Sequence, residues 1–163
     1  MIYYAHSSEL DKSNWQTVKD HLENTARLAL SLGEDTGLSE FAYIVASLHD
    51  IGKYSHAFQR KLKGANLRID HSTAGAQEVI KLFKKDANQQ LMGMLLAYCI
   101  AGHHSGLLDY GSVIDSETDG TLQARLKKKL PDYKYYAQEI DILKFVCDIN
   151  SVNIEEDECA QKN

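Results

Sequence analysis

Proline is almost missing from this chain, with one residue, Pro131, among 163. Proline interrupts helix interiors, so residues 1–130 carry no such break, and a proline-rich extended linker is excluded. Cysteine is scarce too. Cys99, Cys147 and Cys159 form an odd, widely spaced set with no CxxC pair. That excludes a disulfide-stapled scaffold and fits a reducing compartment. The longest apolar run, residues 91–101, is broken by Gly93 and polar groups and falls short of the ~20 residues of a membrane span. The opening MIYYAHSSEL lacks the basic start and apolar stretch of a secretory signal. A cytoplasmic chain with no membrane association is the expectation. Positive charge is also in deficit, with 18 lysines and arginines against 23 aspartates and glutamates, a net −5. Proteins that hold phosphate backbones by bulk charge show the opposite balance. A nucleic-acid enzyme of this composition would need a partner to bring its strand. The clusters Arg60-Lys61 with Lys63, Lys81 with Lys84-Lys85, and Lys127-Lys128-Lys129 read first as solvated helix faces.

At 44% hydrophobic and 25% charged residues, the chain has the composition of a globular protein and the length of one domain with a real core. Apolar residues recur mostly at helical spacing, and the expected fold class is all-α, a helical bundle over residues 1–149 followed by a polar, acidic tail over 150–163. Ser13-Asn14-Trp15-Gln16 resembles a capping box. It opens a helix ending near Gly33, with Val18, Leu22, Thr25, Ala26, Ala29 and Leu32 on its apolar face and His21 among them. Ser39 is expected to cap a second helix, with Phe41, Ile44, Val45 and Leu48 inward and His49-Asp50 at its end; Gly52 then permits a turn or close packing. Asp70 is expected to cap a third helix over 71–85, carrying Ala74, Val79, Ile80 and Phe83 inward. A fourth, over 88–102, delivers His103-His104. Residues 105–120, with three glycines, read as a long surface loop. A short basic helix over 121–130 stops at Pro131, and a last helix covers 132–148. Cys99 is assigned to the core.

Histidine carries the chemistry. Neighbouring helical residues point about 100° apart, so an adjacent pair such as His49-Asp50 or His103-His104 can touch two metal ions, or one ion and its water, without bending the backbone. With His21 and His71 these make five imidazoles and one carboxylate, a donor set suited to divalent transition metals with Asp50 as the bridging group. Two ions about 3.5–4 Å apart support in-line phosphoryl displacement. Lys53, one helical turn after Asp50, is placed to meet a phosphate oxygen or transition-state charge; a surface lysine closing a helix dipole is the plainer explanation. Each histidine also has a plainer explanation. A lone His on an apolar face, such as His21, is in most proteins a hydrogen-bonded core residue, and His71 could simply begin a helix. His6 and His56 lack such company and are read as non-ligands, with a place at the rim of the site as the lesser reading for His6.

The string Leu48-His49-Asp50-Ile51-Gly52-Lys53 resembles the signature of HD-type metal phosphohydrolases. Its surroundings narrow the resemblance: Ala5-His6-Ser7, Trp15, His21-Leu22, Phe58-Gln59, Asp70-His71-Ser72 with Gly75-Ala76, and Gly102-His103-His104-Ser105-Gly106 followed by Leu107 and Asp109. Over roughly residues 1–110 this ordered set is similar to the HD nuclease domain of the CRISPR-associated nuclease–helicase of type I interference systems. The resemblance implies a metal-dependent nuclease cutting single-stranded DNA, mostly the strand displaced by an RNA-guided surveillance complex, with a helicase module in the same longer protein or in a separate chain. It implies one metal held by His21, His49 and Asp50 and a second by Asp50, His71, His103 and His104. Lys53 would assist at the phosphate, with Ser72 and Ser105 as weaker substrate contacts. The ions could be manganese, nickel, cobalt, iron, zinc or magnesium. The family's further ligand carboxylate on a later helix has no convincing counterpart; Asp148 is the only late helical candidate, and a C-terminally truncated piece is expected. Two other readings stay open: an HD phosphohydrolase acting on nucleotides or cyclic dinucleotides, and a non-catalytic, metal-stabilised docking module.

Overall fold

The computed structural model of the chain describes residues 1–8 and 14–142. Six α-helices dominate: α1 (Val18–Leu32), α2 (Ser39–Leu48), α3 (His56–Leu62), α4 (Ser72–Leu82), α5 (Ala87–Gly102) and α6 (Leu122–Lys127). A two-stranded antiparallel ribbon, β1 (Tyr4–His6) with β2 (Gln16–Thr17), lies beside them. The all-α class holds, with this small ribbon beside the helices. Among the described residues, no helix is long and apolar enough to cross a membrane.

Helix α1 packs on α2 and α4 on α5, each pair joined by a short connection, and α2 and α4 meet between them. The core at this junction is built from Leu22, Ile44, Leu48, Val79 and Ile100, all fully buried. Burying each such side chain contributes roughly 1.5–3 kcal/mol. The helices approach closely where side chains are absent. A Cβ on Gly75 would strike the Leu48 carbonyl and Ile100, and one on Gly52 would strike the His71 backbone. Gly52 is therefore a packing residue, which draws the turn after α2 against the start of α4.

Several local expectations change. Helix α1 starts at Val18 because Gln16 and Thr17 are committed to the ribbon. Its cap is Thr17, whose hydroxyl accepts from the Asp20 amide at 3.0 Å, rather than the expected box at Ser13, which lies outside the described residues. Helix α2 begins at Ser39 itself, with no side-chain cap. Asp70 acts two residues before the start of α4, accepting from the Thr73 amide at 3.1 Å. Helix α3 was not foreseen; the Ser55 hydroxyl caps it at the Phe58 amide. The helix expected over 132–148 is absent as far as Ile142, with only a 3-10 turn at Lys134–Gln138. Here long-range anchors override local periodicity. Tyr133 and Tyr136 donate to Glu78, Tyr54 donates to Glu139, and Ile140 and Ile142 are buried. Asp148 and the tail lie outside the described residues. Cys99 is exposed rather than in the core, since Leu96, Ala97 and Ile100 form the buried face of α5.

Candidate metal centre

The up-and-down order of the helix pairs explains how four separate stretches meet. The starts of α1 and α4 and the ends of α2 and α5 fall at one end of the bundle. His21 lies in the first turns of α1, His49 is the residue after α2, His71 precedes α4, and His103 follows α5.

Asp50 is the hub. It is 3% exposed, and its Oδ2 lies 3.0 Å from His21 Nε2, 3.2 Å from His49 Nε2 and 2.7 Å from Lys53 Nζ. Its Oδ1 lies 3.2 Å from His71 Nε2 and 3.4 Å from His103 Nε2. Burial disfavours the Asp50 carboxylate, but the imidazoles of His103, His21, His49 and His71 around it, in their protonated forms, outweigh that and hold the group well below the usual range. His104 joins through its Nε2, 2.8 Å from His71 Nε2. Two donor groups result, sharing Asp50: His21, His49 and Asp50, and Asp50, His71, His103 and His104. Within each group the ligand atoms lie within 4.8 Å of one another.

Helix ends set the ring orientation. A helix leaves its last carbonyls without partners. The His49 Nδ1 takes the Ala46 carbonyl at 2.7 Å, and the His103 Nδ1 takes that of Ile100 at 2.6 Å. A carbonyl only accepts, so both Nδ1 atoms carry the proton, and in each neutral ring Nε2 presents its lone pair to Asp50. Metal-ligating histidines typically have their other ring nitrogen held by a carbonyl or carboxylate in this way.

Lone pairs aimed at a carboxylate repel unless positive charge sits between them. The converging Nε2 atoms, with His21 and His49 only 3.2 Å apart, pose the same demand. Asp50 Oδ1 is buried and receives no aligned hydrogen bond, although two ring nitrogens lie near it. Without an ion, protons fill the need in part. Burial lowers the proton affinity of His103, but Asp50 and the Ile100 carbonyl raise it above the ordinary imidazole value overall. Burial and then the neighbouring His103 and His71 push His104 down, which keeps it neutral and able to ligate. The residues present therefore fit divalent metal. The buried His71 Nδ1 is the departure, with no hydrogen-bond partner among the described residues.

Lys53 is buried at 4% exposure and paired with Asp50, so it is not the surface lysine of the plainer explanation. Ser105 is exposed in the turn after α5, its amide donating to Gly102. Ser72, expected at substrate, is buried; its hydroxyl lies 3.3 Å from Asp70 Oδ1 and 3.2 Å from Arg125 Nη1. Arg125 also donates to the Ala101 carbonyl at 2.8 Å. It thus ties the start of α4, beside His71, to the end of α5, beside His103. No local pattern marks Arg125, because its partners lie 53 and 24 residues away. His6 takes the lesser of its two readings, a place at the rim: its ring packs edge-on against His21 with centroids 4.8 Å apart. His56 lies away from the cluster against Tyr3. A pocket of about 380 Å³ opens beside the centre, lined by His6, Lys53, Phe58, Lys61, His71 and His104 among others.

No curated protein matches the chain. The family model for the HD domain matches residues 18–149, a span containing all six converging residues. The chain belongs to the HD domain family, whose members are typically metal-dependent phosphohydrolases.

Proposed function

We propose that this domain hydrolyses phosphodiester bonds in single-stranded DNA, using divalent ions held by His21, His49 and Asp50 and by Asp50, His71, His103 and His104. The observation that carries the reading is the shared carboxylate. One buried aspartate stands between two histidine groups whose Nε2 atoms converge on it. A single structural ion needs no such doubling, whereas two ions clamp both the entering and the leaving oxygen of a displacement.

Bound at these residues, divalent ions would polarise the phosphoryl group and acidify water near neutral pH. The chain's own groups perform the rest. Asp50 offsets the metal charge and holds the two groups in register. His49 and His103 are locked by their Nδ1 hydrogen bonds, so the donor set is preorganised. Lys53 is held at Asp50 and faces the pocket, where its ammonium can meet a non-bridging phosphate oxygen as charge develops.

The preference for single-stranded DNA over a free nucleotide rests on the ordered motifs, above all Gly102-His103-His104-Ser105-Gly106, which resemble the HD nuclease of CRISPR nuclease–helicases. In that reading a helicase module and an RNA-guided surveillance complex supply the strand, which accords with the net charge of −5. The deciding assay offers manganese-, cobalt- or nickel-loaded protein a labelled single strand, a duplex, cyclic dinucleotides and mononucleotides in parallel. Cleavage of the single strand that is lost in His49→Ala supports the proposal. Turnover confined to mononucleotides or cyclic dinucleotides would replace it with the nucleotide phosphohydrolase reading.

A further inference from the structure

The pocket beside the centre is an electrostatic exception. The chain carries net negative charge, yet the lining holds two lysines and three histidines and, among the described residues, no carboxylate. The wall is built rather than loose. Gln59 is buried, accepts from the Tyr4 amide at 3.1 Å and donates to the Tyr4 carbonyl at 2.9 Å, as a neighbouring strand would. The same amide nitrogen donates to the Lys53 carbonyl at 2.8 Å. The β1 edge, with His6 and Ser7, is thereby pinned against Lys53.

The two lysines differ. Lys53 is taken by Asp50 at 2.7 Å. Lys61 is exposed and pairs with no carboxylate among the described residues; its Nζ lies 5.9 Å from the centre of the Phe58 ring, which Lys53 Nζ approaches to 5.6 Å. Phe58 is 6% exposed, so it offers no open face for a base to stack on. What the pocket offers a ligand is positive charge, in a volume typical of small-molecule sites. Of the six converging residues, only His71 and His104 line it; His21 and His49 do not.

We propose that this pocket is a subsite for the phosphodiester unit next to the one hydrolysed, with the Lys61 ammonium as its anion-binding group. The inference rests on the nuclease reading above and adds a direction to it: the strand leaves the centre on the His71–His104 side. A mononucleotide, which has no second phosphodiester, gains nothing there.

The test uses the whole chain in EDTA, so that nothing is cut, with a fluorescein-labelled thymidine pentanucleotide and dissociation constants measured from low to high salt. Each phosphate contact contributes about 0.7 to the salt slope for single strands. Lys61→Ala is expected to lower the slope by about that amount and weaken binding several-fold, with Lys61→Arg retaining both. Lys84→Ala, beyond the far end of α4, should match wild type. A neutral methylphosphonate walked along the oligonucleotide should weaken wild type at one linkage and leave Lys61→Ala indifferent there. An unchanged slope in Lys61→Ala, or equal losses in both proteins at every linkage, overturns the subsite. So does thymidine monophosphate competing as well as the pentanucleotide. The reaction is judged separately: metal-loaded wild type that binds with the Lys61-dependent slope but never cuts retains the subsite and discards the nuclease.

Discussion

Removing the charge of Asp50 is the sharpest perturbation this structure offers, because the carboxylate holds Lys53 as well as the histidines. In Asp50→Asn the Lys53 ammonium stays 4% exposed and loses the oxygen that sits 2.7 Å away. Breaking a buried ion pair from one side costs about 3–5 kcal/mol, a large share of the ~5–15 kcal/mol that holds a domain together. At roughly 2–4 °C per kcal/mol for a chain of this size, the metal-free variant should melt about 6–20 °C below wild type. Taking away both charges is different, since a paired buried charge replaced by neutral side chains is often neutral or stabilising. Asp50→Asn with Lys53→Met should therefore recover at least about half of the loss, while remaining inactive. Differential scanning calorimetry in EDTA reads both numbers. A single variant that melts within about 2 °C of wild type, or a double variant that melts below the single, would refute the claim that Lys53 is a buried partner of Asp50.

Further predictions follow from the supports around the centre. Arg125→Ala should weaken metal uptake by the His71, His103 and His104 group by about 10–100-fold and spare the His21 and His49 group; manganese titration calorimetry showing equal loss at both, or none, contradicts that role. Gly52→Ala drives a methyl group into the His71 backbone and should cost about 1–3 kcal/mol, visible as an earlier urea midpoint, with His71 displaced and metal affinity reduced. Burial disfavours the charged form of Asp70, but Thr73 and Lys128 more than offset it, so its folded proton affinity falls below the ordinary carboxylate value. A depressed value means stabilisation present above the unfolded value of 3.8 and lost as pH drops through the folded one. The stability gap between wild type and Asp70→Asn should stay level from neutral pH to pH ~5 and close in stronger acid; a gap that widens on acidification reverses the sign. Lys53→Ala should reduce kcat more than metal affinity, and equal losses of both would remove its assigned part at the phosphate.

The helical class was legible because apolar spacing and the dearth of proline are local properties, and α2, α4 and α5 fall close to where their periodicity put them. The six converging residues were legible for a different reason. Doublets at helix ends have few purposes, and the ordered motif set resembles a known one. The start of α1 and the region after Pro131 were not legible, since a strand partner at Tyr4 and acceptors at Glu78 and Glu139 act across long stretches of chain. Arg125, and the part Gln59 plays in pinning Tyr4, were invisible for the same reason.

Sequence alone determined which atoms could bind a metal and that they would ride on helices. Whether they meet was decided by tertiary structure. Up-and-down packing brings two helix starts and two helix ends to one face, and glycines at 52 and 75 let the backbones close until five imidazoles share one buried carboxylate. Charge followed the same division. Net charge is a sum over residues, but a cationic pocket in an acidic chain depends on which residues the fold turns toward each other.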